Sequence, residues 1–294
     1  MNNYELEENR VFDSGHQACP GCGEALAIRH ILNTLGPDTC AIVPPSCIAI
    51  ISGPQPYSSM RIPVYQTTLE ASAASAAGLK GALDARGKTS TTVIVMAGDG
   101  GTYDIGFQSL SSVVERNADL IYFCLDNEGY MNTGSQKSSS TPLHAYTSST
   151  PAGKISRKKN LTEIMAAHQI PYTATATIGY LDDLVDKVKK AKSIRGAKVI
   201  TILTPCLDGW GIADDEAVKI SRLAVQTGVF PLYEVENGEK YTLNHGPTGI
   251  PVSLYVSKQK RYRHLTDSKV QEIQEEIDYQ WKRLQKRLES KDIY

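Results

Sequence analysis

The chain has 294 residues, 41% of them hydrophobic and 21% charged. That is enough to bury a sizeable core, in one large domain or two small ones. A formal net charge of −1 argues against a basic nucleic-acid surface. No apolar run reaches the length of a membrane span, and the polar, acidic start MNNYELEENR is wrong for a secretory signal. A soluble, cytoplasmic protein is expected.

Residues 1–18 read as a polar tail suited to lie against another subunit. Cys19-Pro-Gly-Cys22 then forms a C-x-x-C loop, which aims two thiols at one centre. Alone, it fits a redox dithiol, a zinc half-site or a cluster half-site. A helix is expected from just after Cys22 to about Leu35, because Leu26, Ile28, Ile31, Leu32 and Leu35 recur at helical spacing. Gly36-Pro37 stops it. A short strand over 40–43 runs into Pro44-Pro-Ser-Cys47, placing Cys47 at a strand's carboxyl end. Residues 48–66, broken by Gly53, Pro54 and Pro56, read as loop. The Ala/Gly-rich stretch 69–85 reads as a helix whose small side chains permit close packing.

An apolar β-type run over 92–96 leads directly into Gly98-Asp99-Gly100-Gly101. A helix over 106–116 and a strand over 120–125 follow, the strand ending at Asp126-Asn127. Strand, loop, helix, strand is the unit of an open parallel sheet, whose ligands bind at the carboxyl ends of the strands. Asp99 and Asn127 are therefore expected to face one crevice. Glycines 98, 100 and 101 would let the backbone approach a bound group and offer N–H donors. A carboxylate and an amide oxygen beside such a loop suit Mg²⁺ or Ca²⁺ bridging a diphosphate.

The polar segment after Gly134, to about Asn160, is too long for an ordinary connection. It reads as an ordered loop near the active site or a partner. A helix over 161–168, a strand over 172–177 and an amphipathic helix over 181–193 follow. A strand over 199–203 ends at Thr204-Pro-Cys206, again at a carboxyl end. A helix over 214–226 stops at Gly228. A small β region to about Tyr255 and a charged peripheral helix over 266–291 complete the chain. The expected division is an α/β domain over 1–228 and a C-terminal extension over 229–294. The expected fold is a mostly parallel sheet with helices on both faces.

Cysteines stand at 19, 22, 40, 47, 124 and 206. In a cytoplasmic chain they suggest ligation rather than disulfides. Cys40 and Cys124, placed within strands, read as buried core thiols. Cys19, Cys22, Cys47 and Cys206 remain. Four thiolates are the usual ligands of a [4Fe–4S] cluster, and zinc accepts the same set.

Gly98-Asp99-Gly100 followed by Asn127 resembles the thiamine diphosphate motif. More closely, GDGGTYDIGFQSL, DNEGYMNTG, the STP…TPAGK pattern, PCLDGW and GVFPLYEVENG resemble the β subunits of 2-oxoacid:ferredoxin oxidoreductases of the pyruvate type. The resemblance spans nearly the whole chain. It implies thiamine diphosphate held through Mg²⁺ (or Ca²⁺) by Asp99, Asn127 and the Gly129 carbonyl, with Gly98, Gly100 and Gly101 near the diphosphate. It implies Glu24 beside the cofactor, Asn132 near the reacting carbon, and Cys47, Tyr130 and Thr133 lining the same site. It implies a [4Fe–4S] cluster on Cys19, Cys22, Cys47 and Cys206.

The chain has length for only the diphosphate-binding domain plus extensions. The resemblance therefore implies a separate α subunit carrying the pyrimidine-binding domain, a ferredoxin-like subunit with further clusters, and ferredoxin as acceptor. The expected reaction is oxidative decarboxylation of a small 2-oxo acid. Residues 48–70 and PCLDGWGIADD depart from the family pattern, which leaves pyruvate, oxalate and an arylglyoxylate open, with or without CoA. The competing readings are an electron-transfer or structural subunit with a degenerate thiamine site, and a non-redox thiamine decarboxylase or synthase. Intact Asp99, Asn127 and Asn132 argue against the first and the four cysteines against the second.

Overall fold

A computed structural model describes residues 11–289; most of the N-terminal stretch expected as a tail lies outside them. The elements, in order, are α1 (Gly23–Leu35), β1 (Thr39–Val43), α2 (Cys47–Ser52), β2 (Val64–Gln66), α3 (Ser72–Ala85) and β3 (Thr92–Gly98). A π-helical turn, Gly100–Ile105, leads into α4 (Phe107–Glu115). Then come β4 (Leu120–Asp126), α5 (Leu161–Ala167), β5 (Tyr172–Thr177), α6 (Leu181–Ser193), β6 (Ala197–Leu203), α7 (Leu207–Trp210) and α8 (Ala217–Gln226). The last are β7 (Leu232–Glu236), β8 (Lys240–His245), α9 (Val252–Ser257), a 3₁₀ turn at Lys260–Tyr262, and α10 (Asp267–Glu289).

All eight strands join one sheet in the order β2-β1-β3-β4-β6-β5-β7-β8. The first six are parallel and the last two antiparallel. The fold is thus the expected mostly parallel α/β sheet, and residues from 229 onward add two strands to its edge. The central strands are apolar on both faces because helices cover both. Ile94, Met96, Ile121, Phe123 and Leu125 point to the face covered by α1, α2 and α6. Val93, Val95, Tyr122 and Cys124 point to the face under α3, α4 and α5. The pleat, with period two, produces that division.

Three expectations need correction. Residues 48–66 are not all loop: α2 and the edge strand β2 lie there. The stretch after His245 is not β: residues 246–251 are irregular and α9 begins at Val252. Cys40 is only partly buried, since β1 is open at that position, whereas Cys124 is fully buried. The close packing expected of α3 is made by Ala73 and Ala76, buried against the sheet; Gly78 and Gly81 face open space. α10 is amphipathic but peripheral, with Ile273 and Leu284 as its buried contacts. Among the described residues no helix is long and apolar enough to cross a membrane.

Candidate active site

β1, β3, β4 and β6 are consecutive in the sheet and parallel. Their carboxyl ends therefore form one continuous edge, carrying Cys47, Asp99, Asn127 and Cys206. α1 returns to β1 in the opposite sense, so its first turn, with Cys22 and Glu24, comes to the same edge. Residues separated by most of the chain meet because of this topology.

The oxygen-rich half centres on three buried side chains. Asp99 is fully buried, Glu24 is 4% exposed and Asn127 is 5% exposed. The Asn127 amide donates to Glu24 Oε1 at 2.6 Å. Asp99 Oδ2 accepts from the Ser138 hydroxyl, and the Gly129 backbone N–H also favours the Asp99 carboxylate. Yet Asp99 Oδ1, Asn127 Oδ1 and Glu24 Oε2 are buried without any hydrogen-bond partner. Native structures rarely leave such atoms unsatisfied. Burial pushes the Glu24 carboxyl up to about 7, against the Asn127 hydrogen bond that pulls it down. Burial, then the neighbouring Asp126 carboxylate, raises Asp99 well above the usual carboxylate range. Two unsatisfied oxygens on a carboxylate and an amide, with excess negative charge, have the chemistry a hard divalent cation requires.

The loop after β3 is tightly packed. A side chain at Gly100 would meet the Tyr130 ring at 2.2 Å, and one at Gly106 would meet the Gly101 carbonyl at 2.3 Å. Tyr130 lies across the loop, its hydroxyl donating to the Gly100 carbonyl at 3.1 Å and to Asp104 at 3.0 Å. Gly98 is less confined, with only Ser46 Cβ at 3.5 Å. Thr133 bonds Gln136 Oε1 at 2.6 Å. Asn132 is exposed at the rim, and its main-chain N–H points to the Cys47 sulfur.

The thiols form the other half. Gly21 is left-handed (φ +76°), and a Cβ there would sit 1.9 Å from the Asp214 carbonyl. One at Gly23 would meet Ile178 at 2.9 Å and the Pro205 carbonyl at 3.4 Å. These contacts seat the C-x-x-C loop on the segment bearing Cys206. Cys206 and Cys22 both act electrostatically on Cys47, and Cys19 acts on Cys22 and on Cys206. Cys22 caps α1, Cys47 begins α2 and Cys206 caps α7, its sulfur accepting the Gly209 N–H at 3.4 Å. Helix N-termini favour thiolate. Burial wins nonetheless, pushing Cys22 up to about 12 and Cys206 to about 11, and raising Cys47. Among the described residues, no three His, Cys, Asp or Glu side chains converge on a single metal ion.

Several residues of the site were not anticipated. Ser138, Ser140 and Thr141 come from the long polar loop, which is ordered and folds over the crevice. Ser140 donates to Asp126 at 2.6 Å and Thr141 to the Glu128 carbonyl at 2.7 Å. Lys158 bridges Asp126 and Glu128, at 2.8 Å to each. The Ser-rich composition and the acidic residues flanking Asn127 were the available signals. Trp210 was visible only as the end of the PCLDGW motif, and Arg261 carried no signal.

Comparisons with known proteins bear on the family and the fold. Residues 49–202 match the family model "Thiamine pyrophosphate enzyme, C-terminal TPP binding domain". The pyruvate synthase subunit PorB of Methanocaldococcus jannaschii is 48% identical over 95% of this chain and 98% of its own length. The chain belongs to the family of 2-oxoacid:ferredoxin oxidoreductase β subunits. The ketoisovalerate oxidoreductase subunit VorB of Pyrococcus abyssi is 41% identical, over 96% of this β subunit and 94% of its own length. A solved 2-oxoglutarate:ferredoxin oxidoreductase from Magnetococcus marinus shares the fold, with TM-score 0.58 and 22% identity. That match covers 74% of this chain and 82% of the solved one. The β subunit is thus part of a thiamine-dependent oxidoreductase.

Proposed function

We propose that this β subunit holds the diphosphate end of thiamine diphosphate and one [4Fe–4S] cluster, in an enzyme that oxidatively decarboxylates pyruvate or a similar small 2-oxo acid. The observation that carries the proposal is the trio of partnerless buried oxygens, Asp99 Oδ1, Asn127 Oδ1 and Glu24 Oε2. Asp99, Asn127 and the Gly129 carbonyl would ligate Mg²⁺ or Ca²⁺. Glu24 would lie at the cofactor's inner side, and Gly98, Gly100 and Gly101 would offer backbone to the diphosphate. Bound there, the cofactor supplies an electron sink for loss of CO₂.

Cys19, Cys22, Cys47 and Cys206 would hold the cluster. A cluster is a cage, so its thiols surround a volume instead of converging on a point. Ligation would also deprotonate thiols that burial otherwise keeps neutral. Cys47, linked through its sulfur to the Asn132 N–H and lying 4.0 Å from the Asn127 amide, stands between the two halves. Asn132, Tyr130 and Thr133 edge the crevice, with Asn132 free to reach substrate.

The pyrimidine-binding domain would come from an α subunit, and electrons would leave through a ferredoxin-like subunit to ferredoxin. The cytoplasm suits six free cysteines. Relatives named for pyruvate and for ketoisovalerate both match along the whole chain, the pyruvate one at higher identity. Pyruvate is the first substrate to test.

The test is viologen reduction by the intact complex, purified without oxygen and given pyruvate, 3-methyl-2-oxobutanoate, oxalate or an arylglyoxylate, with and without CoA. CoA-dependent reduction with pyruvate is expected. No reduction by any of them, with thiamine and iron bound, would refute catalysis and leave an electron-transfer subunit.

A further inference from the structure

The Asn127–Glu128 peptide is held at both ends. Its carbonyl, from Asn127, accepts the Trp210 indole N–H at 2.8 Å. Its N–H, from Glu128, donates to Asp126 Oδ1 at 3.1 Å. Glu128 has φ +66°, a conformation that a non-glycine residue adopts only when its surroundings impose it. Its carboxylate is 1% exposed and ion-paired to Arg261 at 2.7 Å and to Lys158 at 2.8 Å. Arg261 in turn lies over the Trp210 ring, its guanidinium carbon 3.8 Å from the ring centre. One guanidinium therefore holds both the indole and the carboxylate that flank this peptide. Trp210 is fully buried and sits at the end of α7, the short helix that Cys206 caps.

We infer that Trp210 and Arg261 are positioning residues for the metal-binding face of the cofactor site: together they fix the Asn127 peptide, and through it the direction of the Asn127 side-chain oxygen. The inference rests on the proposed role of Asn127. The Trp210 N–H fixes the carbonyl plane, and the plane fixes where Cα of Asn127 sends its side chain. Arg261 fixes the indole by lying over it and prevents Glu128 from relaxing out of its left-handed conformation. Because Trp210 and Cys206 share one turn of helix, the same device ties the thiol group to the cofactor edge.

The test uses the full-length chain in its purified complex, with Mg²⁺ titrated at fixed thiamine diphosphate and cofactor binding read by near-ultraviolet circular dichroism. Trp210→Phe keeps an aromatic side chain but removes the N–H donor together with part of the indole's buried volume. Arg261→Lys keeps the charge beside Glu128 and removes the guanidinium from over the indole. Residues that orient metal ligands typically cost 10–100-fold in metal affinity when changed. Half-loading should therefore need about 10-fold more Mg²⁺ or greater in Trp210→Phe, and a smaller rise in Arg261→Lys. Iron content and subunit ratio should match the wild type. If both variants load at the wild-type Mg²⁺ concentration, even with lowered melting temperature, the two residues are merely structural and the inference falls. Should Trp210→Phe fail to assemble, Arg261→Lys alone decides by the same reading. Absence of thiamine binding by the wild type itself would overturn the proposed function instead.

Discussion

Lys158→Met tests the charge balance behind the site. Lys158 Nζ lies 2.8 Å from Asp126 Oδ2 and 2.8 Å from Glu128 Oε1, and both carboxylates are at most 1% exposed. Burial pulls the Lys158 pKa down, but the two carboxylates outweigh it and hold it above the ordinary lysine range. Burial likewise raises Glu128, and Lys158 and Arg261 outweigh it, so its carboxyl lies below the usual value. Methionine retains most of the stem's packing and removes the charge. Glu128 then keeps its Arg261 partner, while Asp126 loses the Lys158 pair.

Lys158 is 25% exposed, so removing it from the two buried carboxylates should cost the lower end of the about 3–5 kcal/mol of a fully buried pair, still a sizeable part of the roughly 5–15 kcal/mol that stabilises a typical domain. The cost arises from stranded negative charge, so Lys158→Met/Asp126→Asn should recover at least about half of it. It should also depend on pH. In the single variant, buried carboxylate charge that Lys158 no longer offsets favours proton uptake by the folded state. The carboxyls' contribution is then fully present at low pH and lost as pH rises, so the deficit is largest near pH 8 and smaller near pH 5. Urea unfolding at both pH values, on wild type, single and double variants, measures all three quantities. A loss under about 1 kcal/mol, or a double variant no better than the single, would refute the argument.

Asp99→Ala should abolish metal-dependent thiamine diphosphate binding, measured by calorimetry, while the visible spectrum of the cluster persists; retained binding would count against the metal site. Cys206→Ser should lower the iron content of the anaerobically purified complex, read by a chelator assay, and an unchanged count would mean another fourth ligand. Glu24 titrates near 7 in the fold instead of 4.5, raised mainly by burial. Its contribution is full below pH 4.5 and lost as pH rises to about 7, so the cofactor-free chain should lose roughly 3 kcal/mol of stability over that window. Glu24→Gln, which retains an oxygen for the Asn127 amide, should flatten this dependence in denaturant titrations.

The sheet was readable because its strands are short, apolar runs ended by Gly, Pro or Asp-Asn. The limits of β5 and α6, 172–177 and 181–193, agree with expectation to the residue. α2 was missed because six residues between two prolines and a glycine carry too little periodicity to distinguish a short helix from a loop. The position of the thiols and of Asp99 and Asn127 at strand ends was legible once the strands were, since a parallel sheet gathers its carboxyl ends. What supports them was not. The Arg261–Glu128 pair joins residues 133 apart in sequence, and no local pattern records such a partnership.

The same point explains how one edge can gather two kinds of side chain. In the strand order β1-β3-β4-β6, the outer members carry Cys47 and Cys206 and the inner members carry Asp99 and Asn127. Neighbouring parallel strands lie about 4.8 Å apart, so the oxygens cannot move away from the thiols without breaking the sheet. Cys47 and Cys206 begin or cap helices immediately after their strands, and Trp210 returns from the second of these helices to the Asn127 carbonyl. The sheet thus sets the spacing between the two halves of the site. The Trp210–Arg261–Glu128 contact sets their relative orientation, and that is the one parameter a row of strand ends leaves free.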